Sequence, residues 1–568
     1  MSPFAAACLR SLPLALPLLA CSSGPNIEEL RAVLPQEAYD QGSHVGPDVA
    51  LSEMGPARFT DALHAGFNMP RSLETVRFVE GFYRAPANDG YEAVLDHLQS
   101  ELKRAGFDGS DDRLQLEVLK GEELNAWTPV SGSLTLLTDG EEPRTLHSFA
   151  APGDVDRVML PIHAPSCDVQ GMVALSLDQV KKGMILVTDV SASQVMARAR
   201  SRGAVAVISA SLSSFNTDPS GADRHLNAIQ FRTLEDSNTM PVAQISGRSL
   251  LRIEAAVERA NKRNRSVQLH FKAEVKREMR PLRTLVATVL GDERPGDAVA
   301  TVSHVQEPGA NDNASGVAGM LEGTLTLVKA LKDKHIQWPA ASLVFVWGDE
   351  FAQTSAWLES TDMRAIAGIS SDMTGQSKDT GAIALLERMP DPGAIKTLAP
   401  DAHSAWGAGK VDSKSLKPNG FAIVARCAMI DVGRLEGGWA SADHPWEGGS
   451  DHDIFNAKGV PGVLFWHFTD FTYHTSLDRL AFVDSAEMRR STVAILSTAL
   501  AVADPLPTDL ERYLDSLVLE RDVRMNAAAD VEDQELEVLW SLWCDGARNW
   551  LRKLCLNIEE DLPNVEGR

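Results

Sequence analysis

The chain has 568 residues, of which 44% are hydrophobic and 23% are charged, a balance typical of globular proteins. This length is too great for one hydrophobic core, so we expect two or three domains. The formal net charge of −24 argues against nucleic-acid binding, which requires a basic surface.

The amino terminus has the pattern of an export signal. Arg10 precedes the apolar run SLPLALPLLA, and small residues follow, an order typical of a signal peptide over residues 1–20. The run LLAC resembles the bacterial lipobox, which implies a lipid on Cys21 that anchors the mature protein to a membrane. Ser22 follows Cys21, as in lipoproteins sent to the outer membrane, where the protein faces the periplasm or the exterior. An ordinary cleaved signal with an incidental Cys21 is the alternative.

The next part of the chain predicts a spacer and the start of a main domain. Residues 21–72 are rich in Gly and Pro, with a first helix, and we interpret them as an N-terminal spacer. The run GYEAVLDHLQSELKRAGF has apolar residues at helical spacing up to Gly106, and RLQLEVLKG alternates as a strand. Residues 73–149 are therefore expected to form the first part of the main domain.

Residues 150–273 predict a separate small α/β domain. Short strand runs such as MILVTDV and AVAVISA flank the helical run SQVMARARSRG, which ends at Gly203. This succession resembles the protease-associated domain that is inserted in several exopeptidases. The resemblance implies a structural lid that shapes or restricts access to a neighbouring site.

Residues 274–504 alternate between strand-like and helix-like runs and predict a mostly parallel central sheet flanked by helices. The predicted strands are TLVATVL, AVATVSH, ASLVFVWG, AIAGISSD, AIALLE, AIVARCAMI and GVPGVLFWH. Helices are expected between them, notably over 317–332 and 351–360. The last segment, 505–568, predicts helices that pack on this domain, with packing on a partner subunit as the alternative.

Potential metal ligands follow the ends of separate predicted strands. They are His304, Asp312, Glu350, Asp372 and His474. Each of them alone has a structural explanation as a capping or solvated residue. Because ligands bind at the carboxyl ends of strands in such sheets, their placement at one edge points to a joint site.

The segments around these residues resemble the family-28 zinc metallopeptidases. The matching runs are GANDNASG, SSDMTG, GGSDHDIFNAKGVPGVLF and YHTSLD. The family includes bacterial aminopeptidases, glutamate carboxypeptidase and the non-catalytic transferrin receptor. The resemblance covers about residues 75–150 and 280–500 and implies the α/β zinc-exopeptidase fold, of the phosphorylase/hydrolase-like type.

The resemblance also implies two zinc ions. Asp312 would bridge them, His304 and Asp372 would complete one ion, and Glu350 and His474 the other. A bridging water would lose a proton and attack the peptide carbonyl. Asp349, which stands where the family has its Glu base, would take that proton.

Two positions depart from the family pattern. Gln306 stands where the family has an Asp that accepts a hydrogen bond from the ligand His, and the lost charge predicts metal binding weaker by about 10–100-fold. Asp349 is one methylene shorter than Glu. The run GDEFAQTSAW is also one residue shorter than usual, so the alternative is that Glu350 itself is the base.

Four further residues receive weaker assignments. Asp451 and His452 are expected to support the ligands or line the pocket. Tyr473 is a candidate oxyanion donor, with a structural role as the alternative. Asp478 is expected to orient His474.

The sequence therefore predicts an exported zinc exopeptidase that removes N-terminal amino acids from peptides. The alternatives are a non-catalytic binding or scaffold lipoprotein that keeps the fold, and a single-zinc acyl transferase like glutaminyl cyclase. The last needs only Asp312, Glu350 and His474, so the retained His304 disfavours it. The sequence does not define the preferred substrate residue, and a carboxypeptidase is the alternative to an aminopeptidase.

Overall fold

A computed structural model describes residues 51–404, 406 and 411–556. The predicted signal peptide (1–20), Cys21 and the first part of the predicted spacer lie outside the described residues. Within the described ranges, no helix combines the length and the apolar character that crossing a membrane requires.

Helices and strands alternate along most of the chain. The α-helices are α1 (Ala57–Gly66), α2 (Met69–Glu80), α3 (Asp89–Ala105), α4 (Ala192–Ser201), α5 (Gly247–Asn261), α6 (Ala314–Lys332), α7 (Ala352–Ser360), α8 (Pro392–Ile395), α9 (Phe421–Glu436), α10 (His452–Lys458), α11 (Ser485–Ala503), α12 (Asp509–Asp530) and α13 (Gln534–Leu556). The strands are β1 (Leu114–Thr138), β2 (Arg144–Phe149), β3 (Cys167–Ala174), β4 (Ile185–Thr188), β5 (Ala206–Ser209), β6 (Val242–Gln244), β7 (Val267–Val289), β8 (Arg294–His304), β9 (Ala341–Gly348), β10 (Arg364–Ser371), β11 (Ile383–Glu387), β12 (Ser441–His444) and β13 (Gly462–Phe468). Short 3₁₀ turns, for example Val155–Met159, Ser214–Asn216 and Leu480–Phe482, lie between some of them.

The strands form one large mixed sheet. Its order is β12-β11-β13-β10-β8-β9-β7-β3-β4-β5-β6, and β1 pairs with β7 and β2 beside this path. The four central strands, β13, β10, β8 and β9, are parallel, whereas β11 and β7 run antiparallel on either side of them. The predicted mostly parallel sheet flanked by helices is therefore confirmed. The carboxyl ends of the central strands meet at one edge.

The main core forms around the central strands and the helices that cover them. Every residue of β9 is buried, as expected for a strand covered on both faces. Helix α6 packs against α11, and a Cβ atom at Gly319 or Gly323 would lie 2.6 Å from a side-chain atom of Thr492. These two glycines thus allow the two helices to approach closely. This packing fixes the start of α6, which lies directly after the loop that carries Asp312.

A second hydrophobic cluster lies around β3–β6. Its buried residues come from positions 83–273, mostly from the predicted insert, and include Trp127 and Leu134 of β1. The parallel strands β4, β5 and β6, with α4 and α5, give this part an α/β character. The long strand β7 joins both parts, since its first half pairs with β3 and its last residues pair with β9. We call residues 150–273 the inserted segment; its boundaries as a domain stay a prediction.

One local expectation needs revision. The run AIVARCAMI, predicted as a strand, lies in helix α9, because a buried helix and a short apolar strand cannot be distinguished by periodicity. Residues 57–72, which lie in the predicted spacer with its first helix, form α1 and part of α2 and bury Phe59 and Leu63 in the main core. The predicted carboxyl-terminal helices are present as α12 and α13, with Trp540 and Leu551 buried against that core.

Candidate metal site

Three of the predicted ligands come together at the carboxyl edge of the central strands. His304 is the last residue of β8, and Asp372 directly follows the neighbouring strand β10. The Nε2 atom of His304 lies 3.0 Å from Oδ1 of Asp372 and 3.5 Å from Oδ1 of Asp312. All three side chains are buried. We call His304 and Asp372 the strand-end group, with Asp312 shared.

A second set of potential ligands lies on the other side of Asp312. The Nε2 atom of His474 lies 3.0 Å from Oδ2 of Asp312 and 2.6 Å from Oε2 of Glu307. We call Glu307 and His474 the loop group. Among the described residues, these two triads are the sets of His, Cys, Asp or Glu side chains whose ligand atoms lie within 4.8 Å of one another.

Glu307 was missed by the sequence analysis. It adopts a φ of +82°, in the left-handed region that non-glycine residues rarely use, and His474 does the same with a φ of +53°. A pattern of strands and helices does not predict such a turn. The available signal was a carboxylate only three residues after the candidate ligand His304.

Buried polar residues hold the loop between His304 and Asp312 in place. Arg84 is fully buried and donates hydrogen bonds to the carbonyl oxygens of Val305 and Gly309, at 2.8 and 2.7 Å. The carboxylate of Asp478 accepts the backbone N–H groups of Asn311 and Asp312, at 2.7 and 2.9 Å. Asp478 therefore positions the loop of Asp312, whereas the sequence analysis expected it to orient His474.

Gln306 takes a role that the sequence did not indicate. The Nδ1 atom of His304 lies 3.2 Å from the backbone carbonyl oxygen of Gln306, and not from its side chain. Because a carbonyl oxygen only accepts hydrogen bonds, Nδ1 carries the proton in the neutral ring and Nε2 is free for a cation. The Oε1 atom of Gln306 instead accepts the backbone N–H of Glu350 at 2.9 Å, and its Nε2 lies 3.5 Å from the Glu350 carboxylate.

The two acidic residues after β9 lie outside both triads. Glu350, predicted as the partner of His474, has its carboxylate against Gln306. Burial, and then the charges of Asp451 and Glu307, raise the pKa of Asp349 to about 7 against the opposing effect of His304. Burial, and then the charge of Asp349, also raise the pKa of Tyr91 in α3.

Two residues beyond the predicted set brace the strand-end group. Ser450 donates a hydrogen bond from Oγ to Oδ2 of Asp372 at 2.9 Å. The Oδ1 atom of Asn313 accepts the N–H groups of Gly316 and Met373, at 3.1 and 3.0 Å, so it caps α6 and holds the chain after Asp372. Both residues lie in the runs GGSDHDIFNAKGVPGVLF and GANDNASG, but Ser and Asn are also common helix-capping residues, so the sequence alone did not indicate contacts with the site.

The residues with weaker assignments have distinct surroundings. Asp451 accepts hydrogen bonds from the Phe351 N–H and from the side chains of Gln353 and Thr354, and so caps the first turn of α7. The buried ring of His452 has its Nε2 3.1 Å from the Glu387 carboxylate, away from both triads. Tyr473 stacks on the His474 ring, with 3.9 Å between ring centroids and an angle of 18°.

The site carries more carboxylates than imidazoles. Burial, and then the charge of Glu307, raise the pKa of Asp312 well above its ordinary value. Burial lowers the pKa of His474, but the neighbouring Glu307 and Asp312 carboxylates outweigh it and raise the pKa to about 10. Burial likewise lowers the pKa of His304, and the charges of Asp372 and Glu350 raise it well above the usual range. Bare carboxylates at this spacing repel one another, so the site has an excess of negative charge that a cation would neutralise.

The donor set fits zinc. Imidazole nitrogens and carboxylate oxygens are common zinc ligands, at about 2.0–2.2 Å from the ion. The two oxygens of Asp312 are directed to different imidazoles, as a carboxylate that bridges two ions requires. His304, Asp372 and Asp312 could hold one ion, and Glu307, His474 and Asp312 the other.

Comparisons with known proteins show which fold the chain shares. No protein-family model matches the chain. The chain is 25% identical over 428 residues to the probable lipoprotein aminopeptidase LpqL of Mycobacterium tuberculosis, covering 72% of this chain and 73% of that protein. The crystal structure of a peptidase M28 precursor from Shewanella amazonensis superposes with a TM-score of 0.53 at 16% identity, covering 79% of this chain and 96% of that one. The zinc aminopeptidase BSAP from Bacillus subtilis gives a TM-score of 0.49 at 15% identity, covering 77% and 96%. The chain therefore has the mixed α/β fold of an M28 peptidase.

Proposed function

We propose that the chain is a zinc-dependent exopeptidase that removes N-terminal amino acids from peptides. The observation that carries this proposal is the position of Asp312, whose two carboxylate oxygens face two different His-carboxylate pairs. The M28 fold and the aminopeptidase relative support a zinc metallopeptidase. The name of that relative also supports the aminopeptidase class.

In this proposal, His304 and Asp372 hold one zinc ion, Glu307 and His474 hold the other, and Asp312 holds both. Zinc in such a site polarises the scissile carbonyl and makes a water nucleophilic near neutral pH. Glu307 takes the position that the sequence assigned to Glu350. Its contact with His474, at 2.6 Å, supports this exchange.

Glu350 is then free to act as the proton acceptor. Gln306 holds both its backbone N–H and its carboxylate, and Gln306 lies in the loop between His304 and Glu307. Asp349, where the sequence analysis placed the base, is the alternative, but in the described structure no hydrogen bond ties its carboxylate to Gln306 or to either triad. We therefore assign the transfer of a proton from the water to the leaving amine to Glu350.

We also propose Tyr473 as the donor of a hydrogen bond to the developing oxyanion. Burial, and then the charges of Asp312 and Glu307, raise the pKa of Tyr473 well above its usual value. The phenol therefore keeps its proton at neutral pH. Its ring stacks on His474, which keeps the side chain beside the loop group.

The proposal includes attachment to the cell envelope. It rests on the sequence pattern that ends at Cys21 and on the lipoprotein relative. Peptides are the expected substrates, with the membrane reached through the lipid. The outer membrane is the location that Ser22 favours.

The test is to measure zinc per chain together with the hydrolysis of a panel of amino-acyl arylamides. The proposal predicts two zinc ions per chain and hydrolysis that a chelator abolishes and zinc restores. Zinc with no hydrolysis of either arylamides or peptides would favour the scaffold alternative. A single zinc with cyclisation of amino-terminal glutamine would favour the acyl-transfer alternative.

A further inference from the structure

The inserted segment makes direct contact with the backbone of His474. The Gln230 side chain, only 1% exposed, donates from Nε2 to the carbonyl oxygen of His474 at 2.8 Å. The backbone N–H of Phe231 donates to the same oxygen at 2.6 Å. One carbonyl oxygen of the loop group thus accepts two hydrogen bonds from a part of the chain more than 240 positions earlier.

The contact extends along the whole loop. The N–H of Ser476 donates to the carbonyl oxygen of Ile229 at 2.9 Å, and the N–H of Ile229 donates to Oγ of Ser476 at 3.1 Å. On the other side, Nδ2 of the fully buried Asn216 donates to the carbonyl oxygens of Phe471 and Tyr473, at 3.0 and 2.8 Å. The inserted segment therefore holds the loop both before and after His474.

The imidazole ring itself lies between an aromatic residue from each part. Tyr473 stacks on one side of the His474 ring. Phe231 meets the same ring edge-on, with 5.6 Å between centroids and an angle of 81°. Two aromatic neighbours at these positions restrict the directions in which the ring nitrogen can point.

The inserted segment also touches the chain next to Glu307. Arg157, which is 2% exposed, donates from Nη2 to the carbonyl oxygen of Pro308 at 2.6 Å. Both ligands of the loop group are thus supported by this segment. The strand-end group has its support from the central sheet, through the ends of β8 and β10 and through Ser450.

We infer that residues 213–231 of the inserted segment position the metal ligand His474, with Gln230 and Asn216 as the positioning residues. This inference rests on the proposed function. His474 has a left-handed backbone conformation that is unfavourable for a residue with a Cβ atom. The hydrogen bonds from Gln230 and Phe231 hold the peptide in that conformation, so the segment is part of the metal site and more than a lid.

Zinc titration of the metal-free protein in the presence of a competing chelator tests the inference. The variants are Gln230→Met and Asn216→Leu, which remove the donors at similar side-chain size. We expect zinc affinity at one of the two positions to fall by about 10–100-fold, the scale for residues that orient metal ligands. The affinity of the other position is expected to stay unchanged, a split that a general loss of stability would not produce.

Gln244→Met is the matched control. Gln244 is also 1% exposed and lies in β6 of the same segment, without a hydrogen bond to the loop of His474 in the described structure. Both zinc affinities of this variant should equal those of the unmodified chain. If Gln230→Met does not fold, Ser476→Ala takes its place, since it removes a single hydrogen bond with Ile229. It should weaken zinc binding at the same one position by a smaller factor.

The outcomes separate the inference from the function on which it rests. An unmodified chain that binds no zinc would overturn the proposed function. An unmodified chain with two zinc ions, and variants with the same two affinities, would overturn the inference alone. Equal weakening at both positions would also overturn it, because the segment would then act on the fold as a whole.

Discussion

The strand-end group and the loop group offer similar ligands on different scaffolds. His304 and Asp372 lie at the ends of paired parallel strands, where the sheet fixes their backbones. Glu307 and His474 lie in loops, both with positive φ, and depend on Arg84, Asn216 and Gln230 for support. One site thus combines a rigid half that comes with the fold and a half that distant polar contacts must hold.

Asp312 is the residue on which both halves depend, so Asp312→Asn has the largest expected effect. The amide keeps the size of the side chain but removes the charge that both proposed ions would share. We expect zinc to fall below one ion per chain and hydrolysis to fall on the order of 10³-fold or more, since metal polarisation contributes several kcal/mol. Metal analysis and arylamide hydrolysis measure this change.

Asp297→Asn is the control for that variant. Asp297 lies on the same strand, β8, at its opposite end, where it pairs with Arg364. Zinc content and hydrolysis should match those of the unmodified chain. Two retained zinc ions in Asp312→Asn would mean that the two halves bind metal independently.

Glu350→Gln is expected to have the next largest effect, because Glu350 belongs to neither half. Both zinc ions should remain, and hydrolysis should fall by about 10²–10⁴-fold, the usual contribution of a general base. In Asp349→Asn, the matched control at the neighbouring residue, hydrolysis should fall much less. Loss of one zinc ion in Glu350→Gln would instead restore the original prediction that Glu350 is a ligand.

One variant in each half, Glu307→Gln and Asp372→Asn, tests whether each half binds its own zinc ion. We expect each to retain about one zinc ion per chain, with the lost ion belonging to the altered half. We expect removal of a direct ligand to weaken zinc binding by more than the about 10–100-fold that is typical for residues that only orient a ligand. If Glu307→Gln kept two tightly bound ions, the loop group would not include Glu307.

The rigid half could be predicted from the sequence. The strand runs before His304 and Asp372 were identified correctly, and parallel strands bring their carboxyl ends to one edge. Asp312 followed from the GANDNASG run. The fold class could also be predicted, because alternating apolar strands and helices are compatible with few layered arrangements.

Only part of the loop half could be predicted, since His474 followed from the YHTSLD run whereas Glu307 did not. The turn that brings Glu307 toward His474 depends on Arg84, which lies more than 220 positions earlier and carries no local signal for this role. The hydrogen bond from Gln230 to the His474 backbone joins the inserted segment to a loop 244 positions later, and no local sequence pattern indicates that these two parts meet. The contacts of Gln306 could not be predicted either, since its backbone carbonyl lies near Nδ1 of His304 whereas its side chain contacts Glu350. Its effect on metal affinity stays a prediction.

The most direct test of the account is anomalous diffraction at the zinc edge from crystals of the zinc-loaded protein. We predict two peaks about 3.5–4 Å apart, the spacing of two-metal sites, with Asp312 between them. One peak should lie about 2.0–2.2 Å from donor atoms of His304 and Asp372, and the other from those of Glu307 and His474. A single peak, or a second ion bound by Glu350 in place of Glu307, would contradict the account.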